Sequence, residues 1–505
     1  MENTYDLEQF KQSLLNTHES FRLELKKANK NIPDSFWETY SSFANTSGGM
    51  IILGVIEDKP VNQILGVVDA EKIISDLWNL LSNENKVSYR AVNNQDVTSM
   101  IVEDKTIIIV NVNEAPNISK PVYIDGKLDN TWIRTGDGDR KANKNEIASM
   151  LRNAKPGGDS LPADGFTMSD LDGSSILRFK QLMDVRYPGK DYLQMSNEQF
   201  LREIGGGRIN RKNGEFQILK GTLLFLGKLN AIKECYPHFH LDYFNHLGEV
   251  NRWSDRVTDD EPNDQEINIF NFYSIVDAKL HILQESAFKL NEQLKRRPTT
   301  GFSTTLRECL VNCLAHADYD QGQPTTKIDV YDGWFRFFNP GKMLITEEQF
   351  IIGGDSRLRN EIIMKMFRYI GASERQGFGG PMIFKNAAQN DNRRPEIETK
   401  LESTEIRVWD IDLADSYPGL SDEEKNILRY FNKQSKAFSI KELSQETGIT
   451  YYKARKIIQA LEDKKYISQI GSGPSTKYVL VKGSQEFLTQ LQIAIDRFKW
   501  NLLKD

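Results

Sequence analysis

The sequence predicts an α+β multidomain chain, and three observations carry that prediction. At 505 residues the chain is several times the ~150 residues of a typical domain. Two segments dense in Pro, Gly and Asp interrupt it. Between them, apolar runs of strand length are interleaved with runs at helical spacing. The expected organisation is an α/β block over 1–155, a connecting α/β region over 160–300 and an α/β block over 301–415. A small block of three helices and a hairpin over 418–482 and an amphipathic helix over 485–505 complete it.

Composition excludes several classes. Charged residues make up 27% and hydrophobic ones 39%, which rules out a mainly disordered or collagen-like chain. With 65 Lys plus Arg against 71 Asp plus Glu, the formal net charge is −6, so any nucleic-acid surface has to be local rather than a bulk polycation. The longest apolar runs, such as Thr106 to Val112, are strand-length, and the start MENTYDLEQF is acidic and polar, unlike a secretory signal. No membrane partner is expected. Cys235, Cys309 and Cys313 form no paired framework or CxxC, so neither zinc nor structural disulfides are expected, and a cytoplasmic location fits best.

Lys155 to Gly165 (KPGGDSLPADG) and Asp415 to Glu424 (DSYPGLSDEE) read as the two breaks. In the first block, Phe21 to Lys27 (FRLELKK) alternates, placing Phe21, Leu23 and Leu25 on one face of a half-buried strand and Arg22, Glu24 and Lys26 on the other. Phe36, Tyr40 and Phe43 follow at helical spacing. Asn45 to Gly49 (NTSGG) stops that helix and Met50 to Val55 (MIILGV) supplies a buried strand. Ile73 to Leu81 is a further helix and Thr106 to Val112 a further strand.

Near the C-terminus, Glu423 to Phe431 forms one helix, Ser439 caps a second, Gly448 makes the turn and Thr450 caps a third. Tyr466 to Ile470, GSGPST and Lys477 to Val481 then read as strand, turn and strand. Three helices and a hairpin are the winged helix-turn-helix pattern. Residues 418–482 carry 12 Lys plus Arg against 7 Asp plus Glu, a local charge of +5. Tyr451, Tyr452, Lys453, Arg455 and Lys456 cluster at the start of the third helix, the end that enters the major groove in such proteins. The alternative is a protein-interaction module with a solvated charged face. In the last helix, Phe487, Leu491, Ala494, Ile495, Phe498 and Leu502 fall at helical spacing, to pack on the winged helix or to pair with a second subunit; a homo-oligomer, dimer or higher, is expected.

The sharpest signal is LRECLVNCLAHADY, Leu306 to Tyr319. Glu308, Asn312 and His316 at i, i+4 and i+8 share one helix face, while Leu306, Leu310 and Leu314 occupy another. The segment resembles the N-box of the GHKL ATPases and, more closely, the RecG-like C-terminal ATPase domain. That resemblance implies an α/β sandwich fold, ATP and Mg²⁺ as cofactors, Glu308 as the base that orients or deprotonates water, and Asn312 as the Mg²⁺ ligand. FFNPG, with Asn339 and Gly341, stands where the superfamily has its adenine-binding Asp-x-Gly turn. GFGG after Glu374, with Gly377, Gly379 and Gly380, resembles the glycine-rich lid, and Ser356 to Asn360 (SRLRN) matches the subgroup's S-x-x-RN signature. Asn339 replaces the usual Asp; its amide oxygen can accept from the adenine amino group, but without charge. The alternatives are a buried polar cluster on the helix and an ordinary turn at GFGG. His316 and the helix cysteines are read as packing residues. No GxxxxGK[ST] P-loop is present.

The first block resembles the Schlafen AlbA-like domain, on ESFRLELK, SSFANTSGGMIILGV and TWIRTGDGDRKANKNEI. In animal Schlafens with nuclease activity that domain carries three acids, which correspond to Glu19, Glu24 and Glu57. Three carboxylates hold a divalent metal for phosphodiester cleavage. The alternative is that these acids make structural contacts, for example to Arg134 or Arg140. Lys26, Lys120, Arg134 and Lys141 are the expected phosphate contacts.

The expected function is that of an ATP-binding, and in one version ATP-hydrolysing, DNA- or RNA-binding regulator of transcription with a GHKL-type nucleotide switch. The rivals are a metal-dependent Schlafen-like RNase or DNase of phage defence, gated by nucleotide, and a GHKL fold kept as an inactive scaffold.

Overall fold

The computed structural model describes residues 11, 14–58, 61–247, 253–261, 263–287, 301–322, 324–354, 356–373, 377–390, 392–410, 419–434, 437–464, 466–470 and 476–480. They belong to two compact units, 1–154 with 437–505, and 155–436. No helix among the described residues is long and apolar enough to cross a membrane.

In the first unit, β1 (Leu23–Lys26), α1 (Asp34–Asn45), β2 (Gly49–Leu53), β3 (Val55–Ile56), β4 (Gln63–Ile64), α2 (Ala70–Leu81), β5 (Val97–Val102) and β6 (Lys105–Val112) precede the hairpin β7 (Trp132–Thr135) and β8 (Gly138–Lys141) and α3 (Lys144–Ala154). A four-stranded sheet runs β1-β2-β6-β5, with β1 and β2 parallel and the other pairs antiparallel. Helix α1 forms where the aromatic spacing predicts it: Phe36, Tyr40 and Phe43 are fully buried, each worth roughly 1.5–3 kcal/mol of burial. The chain turns back at Gly48 (φ +68°), where a Cβ would lie 2.8 Å from the Val112 carbonyl oxygen.

The first strand departs from its expected half-burial. Phe21 precedes β1 and is 40% exposed, whereas Glu24, on the face expected to be solvated, is only 7% exposed. Both sheet faces are covered: Ile51, Leu53, Ile108 and Val110 pack with α1 and α2, while Leu23, Leu25, Met50, Ile52 and Ile107 form a second cluster with Leu14.

The second unit begins at Lys155. It contains α4 (Gly173–Arg186), α5 (Asn197–Ile204), β9 (Gly207–Ile209), β10 (Phe216–Ile218), α6 (Lys220–Leu226), α7 (Leu229–Cys235), β11 (Leu241–Asn245), β12 (Asp255–Thr258) and α8 (Ile269–Ala287). Then come α9 (Phe302–His316), β13 (Thr326–Tyr331), β14 (Trp334–Pro340), α10 (Glu347–Ile352), α11 (Glu361–Tyr369), α12 (Gly379–Gln389), β15 (Glu396–Lys400), β16 (Ser403–Trp409) and α13 (Asp422–Gln434). Six strands form one sheet in the order β12-β11-β13-β14-β16-β15, with β11 and β13 parallel. Residues 160–300 thus supply two strands to the sheet that 301–415 completes, and the two regions share one core. Ile328, Val330, Phe335 and Phe337 point into that core beneath Leu306, Leu310 and Leu314 of α9.

The Pro- and Gly-rich segment expected to be a linker is built into this unit. Asp159 is 2% exposed and accepts from the backbone N–H groups of Glu361, Ile362 and Ile363 at 3.0, 2.8 and 3.1 Å, capping α11 from 200 residues away in sequence. Composition marks the segment as non-helical, but only the fold shows where its carboxylate goes.

The remaining elements, again in the first unit, are α14 (Ile440–Thr447), α15 (Tyr451–Asp463), β17 (Ile467–Ile470) and β18 (Lys477–Leu480). Ser439 Oγ accepts from Glu442 N, Gly448 (φ +71°) ends α14 and Thr450 Oγ1 accepts from Lys453 N, as their positions predict. Helix α13, expected as the first helix of the same block, belongs to the second unit. The helix expected over 485–505 lies outside the described residues.

Asp159→Ala removes an acceptor from three buried donors. It is expected to destabilise the second unit by about 2–3 kcal/mol, the cost of a lost cap plus unsatisfied N–H groups, read from urea unfolding.

Candidate functional site

Helix α9 sets the geometry of the second unit's cleft. Its apolar face is buried, and its C-terminal carbonyls are satisfied by side chains from elsewhere. Tyr319 Oη donates to Leu314 O at 2.8 Å, Asn360 Nδ2 to Ala315 O at 3.0 Å and Ala317 O at 2.8 Å, and Arg359 Nε to His316 O at 2.8 Å. Four otherwise orphaned carbonyls are therefore held by the Tyr of LRECLVNCLAHADY and the Arg-Asn of SRLRN. Arg359 Nη2 also reaches Lys342 O at 2.7 Å, tying the helix to the loop after β14.

Held this way, α9 turns Glu308, Asn312 and His316 into an open cleft. Asn339 from β14, Gly377, Gly379 and Gly380 around the start of α12, and Thr404 and Ile406 from β16 complete much of its lining. Gly341 is not in the lining; it lies behind, where a Cβ would approach Arg359 and Asp318 to 3.0 Å. Asn312 Nδ2 donates to Glu308 Oε1 at 3.3 Å. Glu308 sits directly on Gly379: a Cβ there would lie 2.0 Å from its Oε1, so glycine is what lets α12 start against this carboxylate. Asn339 is 5% exposed and its Nδ2 donates to Pro340 O at 3.0 Å, which orients the amide with Oδ1 as its remaining acceptor. His316, read as a packing residue, lines the cleft; burial and the Arg359 charge push its pKa down to about 4, so the ring is neutral near pH 7.

Sequence reasoning missed the cations of this cleft, Lys342, Arg357 and Arg368, and a second glycine pair, Gly353-Gly354. Arg357 lies inside SRLRN, and Gly353-Gly354 is separated from that segment by one residue; this adjacency is the available signal.

In the first unit, the acids Glu19, Glu24 and Glu57 are drawn together. Glu57 Oε1 accepts from Glu19 N at 3.0 Å, and Glu19 Oε1 accepts from Leu25 N at 3.0 Å. Burial raises the Glu19 pKa, and the nearby Glu24 and Glu57 charges raise it further. The acids are also partnered. Glu24 contacts Lys26 Nζ at 2.5 Å and Arg134 Nη2 at 2.8 Å, Arg134 Nη1 contacts Asp139 at 2.9 Å, and His18 Nδ1 lies 3.3 Å from Glu57. Arg140 pairs with Glu146 rather than with these acids. Of the expected phosphate contacts, Lys141 is exposed and Lys26 half-buried, but Lys120 and Arg134 are each 4% exposed, Lys120 held by Glu114 at 2.6 Å. Both are turned inward by the carboxylates they neutralise. At the start of α15, Tyr451, Tyr452, Lys453, Arg455 and Lys456 are all exposed, with Ala454, Ile457, Ile458 and Leu461 buried beneath.

Among the described residues, one set of potential metal ligands lies within 4.8 Å of one another: His240, Asp259 and Asp260. It is an ion network. His240 Nε2 contacts Asp242 at 2.7 Å and Nδ1 contacts Asp259 at 2.9 Å, so both ring nitrogens carry protons, and the imidazole pKa rises to about 10. Lys233 and Arg256 pair with the same acids.

Residues 19–143 match the family described as "Schlafen, AlbA_2", residues 148–242 a "Domain of unknown function (DUF8451)" and residues 324–408 the family described as "Putative ATP-dependent DNA helicase recG C-terminal". The chain therefore carries an N-terminal Schlafen AlbA_2 domain and a RecG C-terminal-like ATPase-type domain. Helix α9 lies just ahead of the last match. The DIP2311 protein of Corynebacterium diphtheriae is similar at 15% identity and a TM-score of 0.40, over 95% of this chain and 100% of that one. The N-terminal domain of a RecG-related protein from Nitrosomonas europaea is similar at 26% identity and a TM-score of 0.20, over 28% of this chain and 93% of that one. No curated protein matches the chain.

The His240 network gives a pH dependence. The raised imidazole pKa contributes stability that is fully present below 6.5 and lost as pH rises toward about 10. The unfolding midpoint is expected to fall across that window, and His240→Gln to flatten the decline; an unchanged slope in the variant would show the network to be unimportant.

Proposed function

We propose that this protein is a nucleic-acid-binding regulator, acting on transcription in the cytoplasm, whose second unit binds ATP and Mg²⁺ as a switch. The observation that carries the reading is the cleft. Glu308 and Asn312, Asn339, and the Gly377 to Gly380 stretch are separated by up to about 70 residues in sequence, yet all line one cavity.

The residues present fit Mg²⁺. With its Nδ2 on Glu308, Asn312 keeps its amide oxygen as a neutral hard ligand beside a carboxylate, the small protein contribution that Mg²⁺ takes when phosphates and water supply the rest. The ion, when bound, neutralises phosphate charge. Glu308 would orient the attacking water, Asn312 would hold the ion, and Asn339 Oδ1 would accept from the exocyclic amino group of adenine. Ordering of the glycine segment at α12 then biases the nucleic-acid modules, the AlbA_2 domain and a winged helix built on α14, α15 and the β17–β18 hairpin. The exposed start of α15 is its recognition surface.

Calorimetry with ATP and Mg²⁺ tests the site. Wild type is expected to bind and Asn312→Ala to lose most of the affinity, while Glu308→Gln binds but turns over at least about 100-fold more slowly. Equal, tight binding by wild type and Asn312→Ala would sink the assignment.

A second reading is favoured by the Glu19, Glu24 and Glu57 cluster, where burial first, and then the neighbouring Glu24 and Glu57 charges, raise the Glu19 pKa: a metal-dependent nuclease gated by nucleotide. Incubation with tRNA and single-stranded DNA in Mg²⁺ or Mn²⁺ decides it. Cleavage abolished by Glu24→Ala and by the milder Glu57→Gln supports the nuclease; no cleavage by wild type removes it.

A further inference from the structure

Among the described residues, the cleft of the second unit is lined by three cationic side chains, Lys342, Arg357 and Arg368, and by one carboxylate, Glu308. Three buried or half-buried arginines of this unit are engaged. Arg336 pairs with Asp329 and Glu405, Arg256 with Asp242 and Glu261, and Arg359 donates to two backbone carbonyls. Arg357 and Arg368 are different. Among the described residues neither guanidinium has a hydrogen-bond or ion-pair partner; Arg357 is exposed at the cleft, whereas Arg368 is half-buried at the end of α11. A guanidinium has five donors and cannot shed its charge, so holding one partly out of water with no acceptor is costly until an anion arrives.

The backbone around Arg357 is shaped for the same purpose. It follows Gly353-Gly354, and this turn touches the glycine segment that opens α12: Gly354 N donates to Gly377 O at 3.3 Å, and a Cβ on Gly353 would lie 2.6 Å from that oxygen. Gly353 and Gly354 both have positive φ, +81° and +97°. Two glycine turns therefore meet at the cleft, one carrying Glu308's neighbour Gly379 and the other Arg357.

We infer that the ligand of this cleft is a polyanion bearing a phosphate chain, and that Arg357 and Arg368 are its phosphate-binding residues. The inference deepens the nucleotide reading by naming how the phosphates are held, and it does not depend on the identity of the base. It also divides SRLRN by role. Ser356 and Arg357 face the ligand, while Arg359 and Asn360 hold the helix that carries Glu308 and Asn312.

The test is calorimetric titration of the full chain with inorganic tripolyphosphate, ATP, ADP and AMP, using wild type, Arg357→Gln, Arg368→Gln and both Arg→Lys variants, with thermal melting as the folding control. Tripolyphosphate is expected to bind and to compete with ATP, and affinity to rise from AMP through ADP to ATP. Each Gln variant is expected to lose about ten-fold or more in ATP and tripolyphosphate affinity with AMP binding and melting little changed, and the Lys variants to recover part of it. Wild type and both Gln variants binding ATP equally would overturn the arginine assignment and leave the nucleotide reading standing. Arginine-dependent binding of tripolyphosphate with no binding of any nucleotide would uphold the polyanion site and sink the nucleotide reading. Binding of neither by wild type would overturn both.

Discussion

The C-terminal end of α9 is the constraint on which the second unit depends. A helix that ends inside a protein leaves carbonyls that water cannot reach, and each needs a donor. Tyr319, Arg359 and Asn360 supply those donors. They come from beyond the helix, so the helix cannot rotate or slide without breaking several buried hydrogen bonds together. That rigidity is what the proposed site on α9 requires, because Glu308 and Asn312 would serve a triphosphate only while they share its face of the helix.

The same supports connect the cleft to the rest of its unit. Arg359 closes the end of α9 and reaches the carbonyl of Lys342, itself in the cleft lining. One residue on, Asn360 precedes α11, whose first N–H groups are held by Asp159 and whose last turn carries Arg368. A single helix is thus tied at one end to the chain segment that begins this unit and offers a guanidinium to the cleft at the other. Helix α11 therefore joins the cleft to the segment at which the second unit begins.

Parts of this were legible in the sequence because they rest on short-range periodicity. The aromatic spacing of Phe36, Tyr40 and Phe43, the caps Ser439 and Thr450, and the placing of Glu308, Asn312 and His316 on one helical face all follow from local repeat and local hydrogen bonding. What the sequence hid depends on partners distant along the chain. The alternation of β1 suggested that Glu24 faces solvent, but Arg134, more than 100 residues later, buries it. Lys120 and Arg134 looked like phosphate contacts because charge is visible in a sequence and its neutralisation is not. Gly341 fell in a familiar turn yet supports the site from behind, and nothing in the sequence marked Arg357 and Arg368 as cleft residues with no partner among the described residues, since that is a property of the folded surroundings.

The central claim is that α9 presents Glu308 and Asn312 to a nucleotide, and the most direct measurement is a crystal structure of the full chain with a non-hydrolysable ATP analogue and Mg²⁺. The expected result is density for the metal beside Asn312, with the base against Asn339 and the phosphates against the Gly377 to Gly380 segment. Nucleotide bound elsewhere, or a cleft that stays empty at saturating analogue, would contradict the account.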